Sequence, residues 1–487
     1  MPLKHGVYVY ENETALTTPV RANNSVQVII GTAPVFMTDD PAAVTNKPIL
    51  CASATEAMDK LGYCTDFAKY TLCQSMFVLS QLYQVAPIVF INVLDVATHK
   101  KAAETVNLAA PVASAVTIDK VGAIKSLVTV SQNDAALTVG TDYTLAYTTE
   151  GKLVINFVPG SAFDPTKAAV VSVTCADPTA VTDAQVIGSY NATTGVATGI
   201  ELVRHVYPHL GEVPSILLAP GFSHHAAVGV ALAAKAANIN GVFKGMAVVD
   251  IDTNAAKTYT QVENVKNTSG FTSPFCYPIW PSFKVSEHII AGSAVAAALM
   301  AYTDAQNDGI PSRSPSNKIV SSLAVVATCL ADGTEVILDQ DQATVVNGYG
   351  VTTGLHMNGW RLWGSYTGAY PTVKDPKDIW VSVRRMFNWQ ANTFILTYFD
   401  KVDDPINAVL IESVVDSENI RCAAYAPDKW AGAKIHFLQS DNPISDLLAG
   451  KIVFRQSIAP YTPAQEIDNI LSYDTSLLED VISGIAE

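Results

Sequence analysis

Ser215-Ile216-Leu217-Leu218-Ala219-Pro220-Gly221, followed by a helical pattern over 226–238 and a second apolar run over 245–250, decides how this chain is laid out. An apolar run that ends in Pro-Gly and gives way to a helix is the junction found at the carboxyl edge of a parallel sheet. Upstream, Pro87-Ile88-Val89-Phe90-Ile91-Asn92-Val93-Leu94 is apolar almost without break, the signature of a strand covered on both faces. Residues 26–30, closed by Gly31, supply a first strand, and helical patterns at 54–61 and 69–83 separate it from 87–94. A further helix is expected near 199–207. Strand, helix, strand on both sides of a long gap makes one layered α/β core domain, assembled from 23–97 and 186–353.

The gap has a different grammar. Short β-branched runs at 127–130, 143–147, 153–157 and 169–174 are separated by Gly, Asp, Asn and Pro, with no helical period between them. Residues 98–185 therefore read as an inserted β-sandwich or barrel-like domain, flanked by Ala-rich linkers at 98–115 and 176–183. Insertions enter at exposed loops, so this one is expected to face outward. A C-terminal α+β domain is expected over 354–473. Its helix has Asp375 as N-cap, Pro376 in the first turn and an apolar face of Ile379, Val383, Met386, Phe387, Phe394 and Tyr398. A strand over 451–458, a bend at Pro460 and Pro463, and a returning strand over 467–473 complete it. Residues 1–22, where Val7 and Val9 alternate before polar Glu11, Asn12 and Glu13, read as an extended arm, and 474–487 as a second arm with nothing of its own to pack against. The fold class is α/β (α+β), multidomain.

Composition narrows the function classes. Hydrophobic residues make up 49% of the 487 and charged residues 15%, below the roughly 25% of an ordinary soluble domain, which points to extensive subunit contact. A net charge of −15 argues against binding along nucleic acid or an anionic membrane. The longest apolar stretch, 289–302, falls short of the roughly 20 residues that span a bilayer and reads as a buried helix. Seven scattered cysteines without a Cys-x-x-Cys pair read as reduced, buried thiols of a protein made in the cytosol. The opening Met1-Pro2-Leu3-Lys4-His5-Gly6 has no apolar secretory region.

Catalytic signals are weak. Ser223-His224-His225 follows a strand, but His225 stands where a nucleophile elbow needs glycine. His205 and His209 have helical ligand spacing, yet Pro208 intervenes and no third ligand is evident. Gly348-Tyr349-Gly350 with Gly354 misses the dinucleotide spacing and reads as a turn, and no phosphate-binding loop of the Walker type occurs. Asp403-Asp404-Pro405 reads as a solvated turn. Arg384-Arg385 is either a solvated helix face or a site for an acidic partner. No cofactor, metal or catalytic residue is expected.

Three stretches carry a resemblance: Gly359-Trp360-Arg361-Leu362-Trp363-Gly364, the helix Ile379-Trp380-Val381-Ser382-Val383-Arg384-Arg385, and the ending Ala459-Pro460-Tyr461-Thr462-Pro463-Ala464-Gln465-Glu466-Ile467. They resemble the C-terminal domain of contractile tail sheath proteins, particularly those of P2-like myophages and R-type bacteriocins. The opening His5-Gly6-Val7-Tyr8-Val9 is similar to the amino terminus of that family. Many relatives carry Trp-Gly-x-Arg-Thr where this chain has Trp363-Gly364-Ser365-Tyr366-Thr367, so no role of that arginine is carried over.

The resemblance implies a structural subunit, not an enzyme: a homo-oligomer of stacked rings around a tail tube protein, bounded by baseplate and tail terminator proteins, in the tail of a virion or phage-tail-like particle. It also implies β-strand exchange, in which arms complete sheets of neighbouring subunits. On that reading Gly6, Val7, Tyr8, Val9, Tyr10, Leu477, Leu478, Val481 and Ile482 are donors (5–12 and 476–485). Ile452, Phe454, Ile467 and Ile470 form the acceptor hairpin over 450–473. Arg384, Arg385, Lys429 and Lys434 are assigned to the tube-facing surface. The rival readings are another self-assembling shell or surface-layer protein, and an α/β hydrolase acting through Ser223 and His225.

Overall fold

The computed structural model describes residues 23, 25–320 and 325–485. Its centre is a six-stranded sheet in the order Cys276–Ile279, Met246–Asp250, Ile216–Leu218, Gln27–Gly31, Ile88–Asn92, Pro48–Cys51. Every pairing is parallel except that of the edge strand Pro48–Cys51. All five residues of Gln27–Gly31 and of Ile88–Asn92 are buried, as both faces of a doubly covered sheet require. Leu72–Gln81 and Gly292–Ala305 pack together and on the sheet, while Ala226–Ala237, Asp183–Ile187 and the 3-10 segment Gly199–His205 form a second helical group against it. Gly292–Ala305, drawn from the longest apolar run, is buried on nearly every side, and no helix among the described residues is long and apolar enough to cross a membrane.

Between Ile88–Asn92 and Ile216–Leu218 stand two antiparallel sheets. One has the order Glu104–Leu108, Ala169–Val173, Thr129–Gln132, Ala135–Leu137; the other has Ala115–Val121, Lys152–Phe157, Tyr143–Tyr147. They share a core that includes Ile118, Val130, Leu153, Ile155, Val171 and Val173. The strand Glu104–Leu108 falls where a linker was expected; it is a mostly exposed edge with little apolar content, so it gives no core signal. The chain enters and leaves side by side: Lys100 bridges Ala176, Lys101 N donates to Cys175 O at 2.8 Å and Asp177 N to His99 O at 2.8 Å. Tyr147 seats the insert on the body by donating to Phe36 O (3.2 Å), sharing its hydroxyl with Ala123 O (2.7 Å) inside the insert. Gly151, at φ +82°, lets the turn approach Met37 and Cys64 in a conformation strained for other residues.

The hairpin Thr353–His356/Trp360–Trp363 packs with the α/β body, Trp360 and Leu362 being part of the main core. A separate small core of Ile310, Met386, Trp389, Cys422 and Trp430 forms farther along the chain. Asp375 caps as expected, accepting from Lys377 N at 2.9 Å, but the helix it starts, Pro376–Ile379, stops at once. Trp380 is extended (φ −91°, ψ 123°) before Val381–Tyr398 begins. Trp380 instead bridges Tyr366 and stacks on its ring, which is why one expected helix is two.

Val381–Tyr398 is buried around most of its circumference, polar residues included. Asn388 donates to Gly245 O (2.8 Å), and Asn392 accepts from Lys244 N (3.0 Å) and donates to Lys244 O (2.8 Å), tying the helix to the strand that begins at Met246. Ala408–Ala424 packs on Trp430–Phe437, which pairs antiparallel with Phe454–Pro460. All seven cysteines are buried and unpaired.

Candidate functional site

The strand–Pro-Gly–helix junction does form, but not as a nucleophile. Ser223 is fully buried; its hydroxyl donates to Asp250 Oδ2 at 2.6 Å and accepts from Asp250 N at 3.1 Å. The same carboxylate accepts from Ser293 N (2.7 Å) and Ser293 Oγ (2.6 Å), so Asp250 ties the strand end to the start of the buried helix Gly292–Ala305. His225 turns the other way, with Nδ1 2.6 Å from Asp183 Oδ1. An open cleft of about 450 Å³ lies over His224, His225, Asp183 and Asp252. Burial, then the neighbouring His225, holds His224 below the usual histidine range. Serine and imidazole therefore do not engage each other, and hydrolysis has no geometric support here. His205 and His209 stack at 5.3 Å between centroids, and no group of three metal-ligating side chains occurs among the described residues. Gly348 ends the helix Gln340–Gly348, and Gly350 (φ +72°) makes the turn after it.

Three of the four residues assigned to a tube-facing surface are buried inside the subunit. Arg385 is 1% exposed and forms a two-pronged pair with the fully buried Asp304, Nη1 to Oδ1 at 3.0 Å and Nη2 to Oδ2. Arg384 pairs with Asp378 at 3.0 Å. Lys429 donates to Asn307 Oδ1 at 2.8 Å and pairs with Asp308 and Asp428, both at 3.0 Å. The acidic partners of these cations lie in the same chain, Asp304 and Asp308 on a segment distant in sequence and Asp378 and Asp428 close by. Only Lys434 is exposed.

Burial acts differently on two acids in this region. It raises the Asp304 carboxyl to about 6 although Arg385 pulls it down. Burial also pushes Glu418 upward, but hydrogen bonds from Arg421, Gln456 and Gln390 outweigh it and hold that carboxyl below its usual range. Glu418, Arg421, Gln390 and Gln456 form a buried network linking Val381–Tyr398, Ala408–Ala424 and Phe454–Pro460. Its only trace in the sequence is polar residues inside apolar helices.

The acceptor hairpin differs from the expected one. Phe454 opens the strand Phe454–Pro460, whose partner is Trp430–Phe437 and not 467–473. Ile452 is half-buried outside the strand, while Ile467 (86% exposed) and Ile470 (89%) lie on an irregular segment. Their spacing of three does not fit the two-residue repeat of a strand, whereas Ala433, Ile435 and Phe437 alternate correctly with Lys434 and His436. Leu477, Leu478, Val481 and Ile482, expected to be extended, lie on the helix Thr475–Ile485 and are 50–65% exposed; their spacing of one and four is helical. Gly6, Val7, Tyr8, Val9 and Tyr10 lie outside the described residues. Leu471 and Tyr473 add to an apolar C-terminal segment with nothing packed on it among the described residues.

A parallel α/β body carrying a β insert and a C-terminal unit with an uncovered apolar end defines an assembling structural subunit. No protein-family model matches the chain. It is similar, however, to the tail sheath protein of Burkholderia phage BcepMu, with 28% identity over 502 aligned positions that cover 98% of this chain and 97% of the relative. It is also similar to the tail sheath protein of Escherichia phage P2, with 26% identity covering 59% and 70% respectively. Its fold matches the sheath complex of an extracellular contractile injection system, PVC, in the contracted state, with a TM-score of 0.57 and 15% identity over 98% of this chain and 99% of that one. The chain is a homologue of phage tail sheath proteins and has the fold of contractile injection system sheaths.

Proposed function

We propose that this chain is the structural subunit of a contractile tail sheath, which polymerises helically around a tail tube and contracts to drive the tube through a target envelope. The observation that carries this is similarity to a tail sheath protein from one end to the other, insert and C-terminal unit included. The exposed apolar C-terminal segment supports self-assembly, because a contiguous apolar surface of this kind is normally covered by a partner. In this reading the subunit is not an enzyme, and the buried Ser223–Asp250–Ser293 cluster is scaffolding. It is made in a bacterial host and ends in the tail of a virion or phage-tail-like particle, in contact with tube, baseplate and terminator proteins.

Two end segments link the subunits. The segment containing Gly6, Val7, Tyr8, Val9 and Tyr10 donates a strand to a neighbour, and the apolar side chains Leu477, Leu478, Val481 and Ile482 dock on another. Lys434 remains a candidate contact to the tube. The work of contraction comes from subunit packing, at roughly 25 cal/mol for each Å² of apolar surface newly buried. Electron microscopy of the purified protein should show hollow helical sleeves; flat sheets would favour a surface-layer protein. Removing residues 476–487 should abolish sleeves while leaving the subunit folded, and normal sleeves from that variant would remove the C-terminal segment from the mechanism.

A further inference from the structure

Two surfaces carry exposed apolar side chains together with charges of one sign, and the two signs are opposite. The turn joining Val381–Tyr398 to Ala408–Ala424 exposes Phe399 and Val402, and the first turn of the second helix adds Val409; all three are 65–72% exposed. Beside them stand Asp400, Asp403 and Glu412, exposed and without an ion pair among the described residues. The turn's one cation, Lys401, is already matched with Asp404.

The second surface lies on the hairpin Thr353–His356/Trp360–Trp363. Its strand Trp360–Trp363 also pairs with Lys318–Ile319, which sets Ile319 opposite Arg361. Tyr302, Ile319 and Met357 are exposed there. Tyr83 links two of them: its ring centroid is 5.1 Å from that of Tyr302, and its hydroxyl donates to Ile319 O at 2.9 Å. Arg361 donates from Nε to Met357 O (2.9 Å) and from Nη1 to Asn317 O (3.0 Å), so carbonyls hold its guanidinium in place without neutralising it. Lys318 is exposed, and neither cation has an ion pair among the described residues.

We infer that the acidic turn at 399–412 of one copy docks on the basic ridge of Lys318, Ile319, Met357 and Arg361 on a second copy. This rests on the sheath reading above and deepens it by naming a contact between subunits. Charge selects the occupant. Nucleic acid and anionic membrane share the sign of the turn and are repelled by it. Copies of a chain with 45 acids and 30 bases also repel one another unless anions of one meet cations of the next. The ridge offers unmatched cations around apolar side chains, the complement of what the turn presents. The apolar groups supply the covered centre and the charges set the register and the rate of encounter. Because the two surfaces differ, the contact is head to tail and propagates along a helical polymer instead of closing on a pair.

Charge reversal in the full chain tests the contact, with sleeves viewed by electron microscopy and the lowest protein concentration that yields polymer as the measured quantity. Asp400→Lys/Glu412→Lys reverses the turn, Lys318→Glu/Arg361→Glu reverses the ridge, and a third chain carries all four changes. Asp403 is left in place because its φ of +70° suits few other residues. Each pair alone is expected to raise the assembly concentration about tenfold or more, since like charges then face each other. The four together are expected to return it to within about threefold of the parent.

Either pair alone assembling as the parent does would overturn the contact. A block by the turn pair that the four changes do not relieve would overturn the second copy as occupant and assign the turn to a different protein. Arg361 also bonds two carbonyls, so unfolding midpoints of the unpolymerised chains are read alongside. Where the ridge pair lowers the midpoint, Lys318→Glu alone, and then with Asp400→Lys, gives the same reversal and rescue at exposed positions. A parent that forms no sleeves at all would overturn the sheath reading, and this contact with it.

Discussion

Replacing Asp304 by Asn should destabilise the subunit more than replacing its partner Arg385 by Met. Both side chains are sealed from water, at 0% and 1% exposure, and the pair joins Gly292–Ala305 of the α/β body to Val381–Tyr398. Removing one member of a buried pair costs about 3–5 kcal/mol, because the other charge stays buried without compensation. The two orphans are not equivalent. An aspartate left without its arginine escapes by taking up a proton, and burial has already moved Asp304 from 3.8 to about 6. A guanidinium left without its carboxylate cannot shed its charge near neutrality. At pH 5.5 Asp304→Asn is therefore expected at the upper end of that range, Arg385→Met below it, and the double replacement Asp304→Leu/Arg385→Met within about 2 kcal/mol of the parent.

The sign with pH follows from the raised carboxyl. The contribution of Asp304 is fully present below its unfolded value near 3.8 and is lost as pH rises through about 6. The stability of the parent relative to Asp304→Asn should therefore fall by about 2 kcal/mol between pH 4 and pH 7. Urea unfolding of unpolymerised subunits at pH 4, 5.5 and 7 measures both quantities. An Asp304→Asn cost under about 1 kcal/mol, or a larger loss from Arg385→Met at pH 5.5, would refute the argument.

Lys266 offers a second titration. It is 1% exposed and donates to the carbonyls of Tyr349 (2.7 Å) and Tyr370 (2.6 Å), while burial lowers its ammonium from 10.5 to about 8. Its contribution is present above 10.5 and lost as pH falls through about 8, so the parent should gain on Lys266→Met by at most about 1.4 kcal/mol per pH unit across that window, read from denaturation midpoints. Ser223→Ala should cost about 1–2 kcal/mol of stability, since it leaves Asp250 short of a donor; ester hydrolysis by the parent that vanishes in this variant would revive the hydrolase reading. Tyr366→Phe removes the bond from Tyr366 Oη to Gln465 Oε1 (2.6 Å) that holds the C-terminal segment to the body. Faster limited proteolysis within 461–474 is expected, with the unfolding midpoint unchanged.

The parallel sheet was legible because doubly covered strands such as Ile88–Asn92 must be apolar throughout, a pattern that survives without its context. The insert was legible in its inner strands and not in Glu104–Leu108, where only Val106 and Leu108 face the core and both are only partly buried. Strand pairing was harder to see. Residues 467–473 drew attention by their apolar content, while the true partner, Trp430–Phe437, carries Lys434 and His436 on one face and looks like a polar loop unless its alternation is counted. Arg384, Arg385 and Lys429 misled for a related reason. A cation reads as surface until its anion is located, and Asp304, 81 positions from Arg385, could be paired with it only in the folded chain.

The adjacent entry and exit of the inserted sandwich have a practical meaning. Because Lys100 sits opposite Ala176 and the flanking backbone groups bond across the neck, the body is anchored to a closed stem and is indifferent to how many residues hang from it. Foreign folds whose two ends lie close together could be grafted at that stem, making the chain a carrier that displays one copy per subunit.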